Sequence, residues 1–380
     1  MKRRTEEQRI GAVKQFETAG VFESCEPYGN GHINDTYLVV FNTEKGKKRY
    51  ILQAVNTDVF KEPDKLMSNI EKVTAFLRNK GCGERETLSL VKTHGGKAYY
   101  TDVDNNCWRM YDFIEDSICL ELPESNEDFY QCAVAFGKFQ RFLDDFPVNE
   151  LYDTIPDFHN TPKRYADFIA AVEKDALGRA KNVSAEIEFI KARKDFYSVL
   201  LDNEKRGALP LRVSHNDTKS NNVMLDKATR KALCVIDLDT VMPGYSVTDF
   251  GDSIRFGAST AAEDEKDLAK VHFSIEKFKT YAAGYLDGCG GMLKNEEIML
   301  LPEGAKMMTA ECGMRFLADY LAGDTYFKTA YAEHNLVRCR TQLKLVAEME
   351  EQWDEMKSTV KEFCVNSQSK CNSTRRLHLS

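Results

Sequence analysis

The sequence lacks an excess of basic residues. Its 52 lysines and arginines are outnumbered by 60 aspartates and glutamates, which gives a net charge of −8. A basic patch or stripe is the electrostatic footprint of nucleic-acid binding, so this balance argues against a nucleic-acid partner. No apolar run reaches the roughly 18 residues of a membrane span. The basic start, Met1 to Arg4, is not followed by an apolar core, so we do not expect a secretory signal either.

The eleven cysteines lack the spacing of a zinc site or a disulfide framework. They are scattered from Cys25 to Cys371, and no Cys-x-x-Cys pair occurs. Metal sites and small disulfide-rich domains show close, recurrent spacings. Free thiols are typical of proteins kept in a reducing compartment, and we therefore predict a cytoplasmic protein.

A chain of 380 residues is longer than a single hydrophobic core usually supports. We predict an N-terminal domain over residues 1–114 and a helical domain over residues 115–365. The polar residues 366–380 are predicted to be disordered. In the first part, strand-like and turn-like segments alternate, which predicts five mostly antiparallel strands with one helix after the third strand.

The pattern becomes helical after Glu115, so the predicted fold class is α+β. The first part contributes a helix from Pro63 to about Lys80, because Leu66, Ile70 and Val73 recur at helical spacing. A short helix is also expected over residues 5–20. Helices are then predicted near residues 126–146, 161–179, 183–203, 262–288, 294–322 and 335–364.

One short loop between two apolar runs carries a set of groups suited to phosphate chemistry. His215, Asp217, Lys219 and Asn222 lie on this loop, and Asp237 follows fifteen residues after Asn222. Phosphoryl transfer needs a carboxylate for the acceptor hydroxyl, cations on the phosphates and a bound magnesium ion. A hairpin that returns Asp237 toward Asn222 would create a magnesium site from oxygen ligands. The alternative is an ordinary turn rich in Asp and Asn.

The spacing His-x-Asp-x-x-x-x-Asn, followed by the second aspartate, resembles the aminoglycoside phosphotransferase and choline kinase superfamily. The resemblance implies a bilobal, protein-kinase-like fold that uses ATP and Mg²⁺. It also implies that Asp217 is the catalytic base, that Asn222 and Asp237 are magnesium ligands, and that His215 is structural.

Further segments resemble the N-acetylhexosamine 1-kinase family in particular. That family transfers phosphate to the anomeric hydroxyl of N-acetylglucosamine or N-acetylgalactosamine, so a small sugar is the expected partner. The sequence leaves the oligomeric state open. The matching segments are residues 29–37, 50–53, 214–222, 236–240, 249–256 and 315–324.

The loop that follows the first strand contains two glycines. In a kinase-like fold this position covers the phosphates, and Gly29 and Gly31 would let backbone amides approach them. His32 and Asn34 project from the same loop and could reach a sugar as well as a phosphate. An ordinary hairpin turn is the alternative.

The third strand lacks the lysine that protein kinases use to hold the α- and β-phosphates. Gln53 stands near that place and brings no charge, so we assign Glu71 no ion-pair role with this strand. We predict that Lys219, two residues after the proposed base, supplies the missing positive charge.

Adenine is expected against residues 110–114, with Tyr111 and Phe113 beside it; packing between the lobes is the alternative for these two rings. Asp249-Phe-Gly-Asp252 resembles the magnesium-binding triplet of protein kinases. We predict instead that Asp249 caps a helix starting at Ser253 and braces the catalytic loop. Asp239 could approach the metal or be a solvated or hydrogen-bonded carboxylate at the end of a strand.

The acceptor is expected in the helical domain. Arg255 and Arg315 there argue against a cationic acceptor. Arg315 and Asp319 are four residues apart on one helix face, so a salt bridge between them is the alternative to a binding role. The candidate residues are Thr240, Arg255, Phe256, Arg315, Asp319 and Tyr326.

Other functions remain open from sequence alone. An aminoglycoside- or choline-type kinase shares the catalytic loop, and an inactive nucleotide-binding scaffold would share the fold. A protein kinase is disfavoured, because no Ala-Pro-Glu segment follows Asp237.

Overall fold

Five antiparallel strands form the N-terminal sheet in the computed structural model, which describes residues 4–29 and 33–364. Their spatial order is β1-β2-β3-β5-β4, and every neighbouring pair is antiparallel. The predicted sheet is therefore confirmed. The predicted disordered tail, residues 366–380, lies outside the described residues. The strands are β1 (Val21–Pro27), β2 (Asp35–Thr43), β3 (Gly46–Val55), β4 (Tyr100–Thr101) and β5 (Cys107–Asp112).

The first helix, α1 (Glu6–Val13), is shorter than predicted. Thr5 caps it, accepting a hydrogen bond from the Gln8 backbone. The expected continuation to Gly20 is wrong, because the backbone after Val13 pairs with another segment: Phe16 forms a β-bridge with Thr93.

The helix after the third strand, α2 (Pro63–Asn79), follows the predicted apolar stripe. Pro63 stands at its first position, where a missing N–H costs nothing. Leu66 and Ile70 are buried in one cluster with residues of the later helices. Asn69 on the same helix donates to the carbonyls of Tyr152 at 2.8 Å and Val241 at 3.0 Å. This helix therefore joins the sheet to the helical region, and a domain boundary at residue 114 remains a prediction.

The C-terminal part is mostly helical. Residues 353–364 form a further helical segment. The helices are α3 (Asn126–Phe142), α4 (Thr161–Lys174), α5 (Ser184–Lys191), α6 (Val199–Lys205), α7 (Ser246–Gly257), α8 (Ile275–Cys289), α9 (Asn295–Met299), α10 (Leu301–Ala322) and α11 (His334–Glu351).

Several of these helices are interrupted where one continuous helix was predicted. A 3₁₀ turn separates α5 from α6, and α8 starts only at Ile275, after a segment in which Ser259 bridges to Phe273. Residues 294–322 divide at Leu300, because Pro302 opens α10 and cannot donate to a preceding turn. Residues 335–364 divide at Gln352.

Short strands within the helical region carry the predicted catalytic loop. β7 (Arg212–Ser214) pairs with β10 (Met242–Gly244). β8 (Val223–Asp226) lies between β6 (Ser117–Cys119) and β9 (Ala232–Val235). The loop runs from β7 to β8. Among the described helices, none combines the length and apolarity that a bilayer crossing requires.

Candidate active site

The β8–β9 hairpin brings the two halves of the predicted metal site together. Val223 pairs with Val235, and the backbone N–H of Ile236 donates to the carbonyl of Asn222 at 2.9 Å. Asp237 is the next residue, so it lies beside Asn222. The chain thus returns the second aspartate to the loop, as the sequence predicted.

His215 is fully buried and holds the loop from inside. Its Nε2 lies 2.9 Å from the carbonyl of Ile236, and its Nδ1 accepts from the backbone of Asp217 at 3.3 Å. The rings of Phe136 and Phe139 pack edge-on against the imidazole. The imidazole therefore touches both strands of the site without facing the cleft.

Two neighbours position the carboxylate of Asp217. The Nδ2 of Asn222 donates to the Asp217 carbonyl at 2.8 Å and to its Oδ2 at 3.2 Å. The Lys219 ammonium lies 2.9 Å from Oδ1. Burial alone would lower the pKa of Lys219, but the charges of Asp217 and Asp252 outweigh it and raise that pKa. Lys219 is therefore cationic beside the proposed base.

Helix α7 braces the catalytic loop with two buried carboxylates. Asp249 accepts from the backbone N–H groups of His215 and Asn216, both at 2.8 Å. Asp252 accepts from the backbone of Thr218 at 3.0 Å. The helix starts at Ser246, so the expectation that Asp249 caps a helix beginning at Ser253 is wrong. Asp249 lies inside the first turn and points back at the loop.

Asp237 occupies a left-handed backbone conformation, with φ 60° and ψ 58°. Non-glycine residues adopt this conformation at an energetic cost and concentrate at functional sites. The residue is accessible to solvent, yet the protein around the carboxylate removes part of its hydration. This partial burial, with the charges of Asp239 and Asp217, raises the pKa of Asp237 to about 7.

The site fits a divalent cation. Asp237 receives no hydrogen bond from the described residues, and the hydrogen bonds that Asn222 makes with its side chain use its Nδ2, which leaves its amide oxygen as a possible ligand. Within residues 4–29 and 33–364, no group of three or more His, Cys, Asp or Glu side chains is arranged to hold a metal. Magnesium does not need such a group, because it typically takes one or two protein oxygens and completes its shell with phosphate and water.

A buried arginine that the sequence reasoning missed lies directly behind this site. Arg109 on β5 is 1% exposed and forms an ion pair with Asp239. Its Nε donates to Gln53 at 2.9 Å, the residue opposite it in the β3–β5 register. Asn34 donates to the other oxygen of Asp239 at 2.6 Å. Of the two forms expected for a non-metal role of Asp239, solvated or hydrogen-bonded, the structure shows the hydrogen-bonded one, because Asp239 is buried between these donors.

The sequence did contain a signal for this arginine. A cation in an otherwise apolar strand next to Trp108 and Met110 is unusual, and it lies across from the strand that lacks the expected lysine. Glu71, by contrast, forms an ion pair with Lys92, with both side chains partly exposed.

The start of the glycine loop is described, and its middle is not. Gly29 has a φ of +73°, which favours glycine. The backbone N–H of Tyr28 donates to Thr36 at 2.9 Å and closes the β1–β2 connection. Gly31 and His32 lie outside the described residues.

The two aromatic residues expected beside adenine, Tyr111 and Phe113, both pack against other parts of the protein. Tyr111 is buried among core residues, and Phe113 packs under Arg49 at 4.1 Å and against Tyr28. The backbone N–H groups of Asp112 and Phe113 already donate to the carbonyls of Ser89 and Arg49. Beyond β5, the first N–H without a partner in the described structure is that of Ile114.

On the acceptor side, α10 and the loop after it place Arg315 under two aromatic rings. The guanidinium carbon lies 5.5 Å from the ring centre of Phe327 and 6.0 Å from that of Tyr326. Asp319 accepts instead from the backbone of the loop, including Tyr326 at 2.8 Å. The alternative Arg315–Asp319 salt bridge is therefore wrong. No carboxylate in the described part of the chain pairs with Arg315.

The other candidate acceptor residues lie apart from Arg315. Thr240 is 9% exposed, and its hydroxyl donates to the carbonyl of His215 at 2.7 Å. Phe256 and Arg255 line a cavity of about 690 Å³ next to α7. Arg255 is paired with Asp252 at 3.0 Å and with Glu263 at 2.7 Å. Its charge is thus compensated, and the argument from Arg255 against a cationic acceptor does not hold.

A second missed residue, His159, joins the loop to α10. Its Nδ1 lies 3.0 Å from Glu311 and its Nε2 lies 3.3 Å from the carbonyl of Asn216. Burial would lower the pKa of His159, but the hydrogen bond and the charge of Glu311 raise it overall. Glu311 is one helical turn before Arg315, so this pair aligns the acceptor side with the catalytic loop.

Comparison with known proteins places this geometry in a family. The model of the phosphotransferase enzyme family matches residues 24–282. Among solved structures, an aminoglycoside phosphotransferase from Alicyclobacillus acidocaldarius subsp. acidocaldarius superposes with a TM-score of 0.58 at 11% identity, over 91% of this chain and 96% of that chain.

Two further structures share the fold. Ethanolamine kinase from Plasmodium vivax has a TM-score of 0.53 at 18% identity, over 84% of this chain and 82% of that chain. Choline kinase from Cryptosporidium parvum has a TM-score of 0.53 at 12% identity, over 89% and 92%. At these identities the structural similarity establishes the α+β, protein-kinase-like fold. Because the matched residues include both the sheet and the catalytic hairpin, the chain belongs to the phosphotransferase enzyme family.

Proposed function

We propose that the protein transfers the γ-phosphate of ATP to a hydroxyl group of a small sugar, most specifically the anomeric hydroxyl of an N-acetylhexosamine. The observation that carries this proposal is the position of Asp217. Its carboxylate is held by Asn222 and Lys219 next to the hairpin that carries Asp237. On this proposal, residues 1–114 bind the nucleotide and residues 115–365 provide the catalytic loop and the acceptor site.

In the proposed reaction, Asp217 accepts a hydrogen bond from the acceptor hydroxyl and takes its proton as the phosphoryl group transfers. A carboxylate in this role needs fixed geometry more than an unusual pKa. The hydrogen bonds from Asn222 provide that geometry. Lys219 lies beside the base and can stabilise charge that develops on the transferring group.

Asn222 and Asp237 would hold a magnesium ion, which would neutralise charge on the phosphates when bound. The glycine loop would cover those phosphates with its backbone N–H groups. For the adenine edge, the N–H of Ile114 is the proposed donor, with Tyr111 and Phe113 behind it.

The sugar acceptor is supported by Arg315. An arginine without a carboxylate partner in the described structure presents a fork of donors that suits ring hydroxyls or an N-acetyl carbonyl. Tyr326 is 71% exposed on the loop beside it, and Phe256 offers a half-buried aromatic face. His32 is proposed to reach the sugar from the glycine loop, and Thr240 to support the loop from below.

A panel of acceptors tests this proposal. N-acetylhexosamines, hexoses, choline, ethanolamine and aminoglycosides would each be incubated with Mg·ATP, and ADP release and the phosphorylated product would be followed by NMR. A sugar 1-phosphate is the expected product. Turnover only with choline, ethanolamine or an aminoglycoside would replace the sugar proposal, and no turnover with any acceptor would favour a nucleotide-binding scaffold.

A cationic acceptor of the aminoglycoside or choline type is the second candidate. The observation in its favour is the cavity beside Phe256, whose walls include Glu121, Glu124 and Glu263. Carboxylates around an aromatic face suit a cationic ligand. Replacing Glu124 with glutamine leaves Arg230 paired with Asp128. The change would weaken binding of a cationic acceptor and affect a neutral sugar little, which separates the two candidates. For either acceptor, free thiols in the described part of the chain, such as Cys107 and Cys234, support a cytoplasmic location.

A further inference from the structure

We propose that Asn34, Arg109 and Asp239 form a bridge that fixes the N-terminal sheet, including the start of β2 next to Asn34, relative to the catalytic hairpin. This Asp239 bridge takes the place of the lysine that the third strand lacks. The inference rests on the proposed function, because the bridge is expected to align the nucleotide with Asp217. It assigns positioning roles to three residues that do not themselves contact the transferred phosphate.

The bridge joins two distant parts of the chain through buried charges. Arg109 and Asp239 belong to the sheet and to the catalytic hairpin, and their side chains are 1% and 4% exposed. A buried ion pair contributes only when its geometry and remaining hydrogen bonds are satisfied, and removal of one partner leaves an uncompensated charge. Separating the sheet from the hairpin would break the Arg109–Asp239 pair and leave a buried charge uncompensated. The relative position of sheet and hairpin therefore depends on this contact.

Gln53 fits this arrangement better than a lysine would. Its Oε1 accepts from Arg109 at 2.9 Å while its Nε2 donates to the hydroxyl of Thr36 at 3.1 Å. A lysine at position 53 would place a second cation beside the buried guanidinium. The positive charge of this region thus comes from β5, and the residue on β3 orients it.

Asn34 extends the bridge to the glycine loop. Its Nδ2 donates to Oδ2 of Asp239 at 2.6 Å, and its Oδ1 accepts from the backbone of Asn56 at 2.9 Å. Asn34 stands at the end of the loop that Gly29 begins, and Asp239 stands two residues after Asp237. One carboxylate therefore connects the end of the proposed phosphate-covering loop to the proposed metal-binding residue.

The test uses three single variants, one double variant and two controls. Asn34→Ala, Arg109→Gln and Asp239→Asn each remove one partner, and Asn34→Ala/Arg109→Gln removes two. Asn42→Ala is the matched asparagine control on an exposed position of β2, and Lys92→Met breaks the partly exposed pair with Glu71. Circular dichroism establishes that each variant is folded.

In steady-state kinetics, the change in the KM for ATP is compared with the change in the KM for the acceptor in each variant. We expect Asn34→Ala to raise the KM for ATP by about tenfold, and Arg109→Gln to lower kcat/KM for ATP by about 100-fold. The acceptor KM should stay within about threefold in both. The double variant should resemble Arg109→Gln, because residues that share one partner are not additive. Lys92→Met and Asn42→Ala should match wild type.

Hydrogen exchange of the amides at residues 33–36, without any ligand, gives an independent readout. Loss of the bridge should speed their exchange in all three single variants and leave Asn42→Ala unchanged. Failure of wild type to phosphorylate any acceptor would remove the proposed function and leave this measurement intact. The bridge is refuted if the amides of residues 33–36 exchange at the same rate in Asn34→Ala as in Asn42→Ala. It is also refuted if the loss of kcat/KM for ATP in the double variant equals the product of the two single losses. Should Arg109→Gln not fold, Asn34→Ala and its matched control decide the question.

Discussion

At the scale of single residues, Asp217 is the proposed catalytic base. Replacement by asparagine keeps the shape and removes the proton acceptor, so we expect turnover to fall by a factor of about 10²–10⁴. Binding of a non-hydrolysable ATP analogue, measured by calorimetry, should stay near the wild-type value. Asp153→Asn, at an exposed position outside the site, is the matched control. Activity retained in Asp217→Asn would remove this residue as the base.

Lys219 is the second residue whose role can be measured alone. Its ammonium lies beside Asp217 and keeps its charge there. We expect Lys219→Met to slow turnover by more than about tenfold at saturating ATP, since a cation near the transferring phosphate acts mainly in the transition state. Turnover within about threefold of wild type, a change under ~1 kcal/mol in the barrier, would contradict this role.

Histidine 159 makes a pH-dependent contribution to stability. Its pKa is raised in the folded protein, so its pairing with Glu311 stabilises fully below the unfolded pKa of about 6.5. That contribution is lost as pH rises through the raised folded value. The difference in Tm between wild type and His159→Asn should therefore be largest near pH 6 and shrink toward pH 9. A difference in Tm that stays constant across this pH range would mean that His159 stabilises the fold as a neutral imidazole.

At the scale of elements, two helices cross at a pair of glycines. A Cβ at Gly251 on α7 would lie 2.2 Å from the carbonyl oxygen of Gly304 on α10, and one at Gly304 would lie 2.1 Å from that of Val247. Helix α7 also carries Asp249 and Asp252, which brace the loop. The close crossing therefore sets the position of the catalytic loop relative to Arg315 on α10.

Alanine at this crossing should force the helices apart. We expect Gly251→Ala to reduce the free energy of unfolding by about 1–3 kcal/mol or more, because the obstructing atoms belong to backbone. Urea denaturation measures it. Gly11→Ala on α1 is the control: it is exposed with nothing within 4 Å, and alanine there should stabilise the helix by up to about 1 kcal/mol. Equal stability of Gly251→Ala and wild type would contradict the tight crossing.

At the scale of the whole molecule, metal and nucleotide should act together. A non-hydrolysable ATP analogue with Mg²⁺, at about 100 times its Kd, should stabilise the folded state by about 2.7 kcal/mol. The rise in Tm that the ligand causes should be smaller in the presence of EDTA and smaller in Asp237→Asn. Without ligand, wild type and Asp237→Asn should have similar Tm values. If Asp237→Asn showed the same ligand-induced rise in Tm as wild type, the metal would be bound by other oxygen ligands.

Local sequence was sufficient for much of this molecule. The stripe of Leu66, Ile70 and Val73 predicts a helix whose buried face is the one observed, because helical periodicity is a short-range property. The loop over residues 215–222 was equally predictable, because its polar groups lie within eight residues of the sequence and a hairpin returns Asp237 to them. Helix ends were less predictable, because long-range pairing such as Phe16 with Thr93 competes with local propensity.

Contacts between residues that are far apart in the sequence could not be predicted from local patterns. Arg109 meets Asp239 across 130 positions, Asn34 meets Asp239 across 205, and His159 meets Glu311 across 152. Sequence alone determined the type of chemistry, because one contiguous loop holds its groups. Only the tertiary structure decided that a buried arginine, Arg109, lies opposite Gln53, and that Arg255 but not Arg315 forms ion pairs with carboxylates in the described part of the chain. Both depend on burial and on partners that folding brings together from remote parts of the chain.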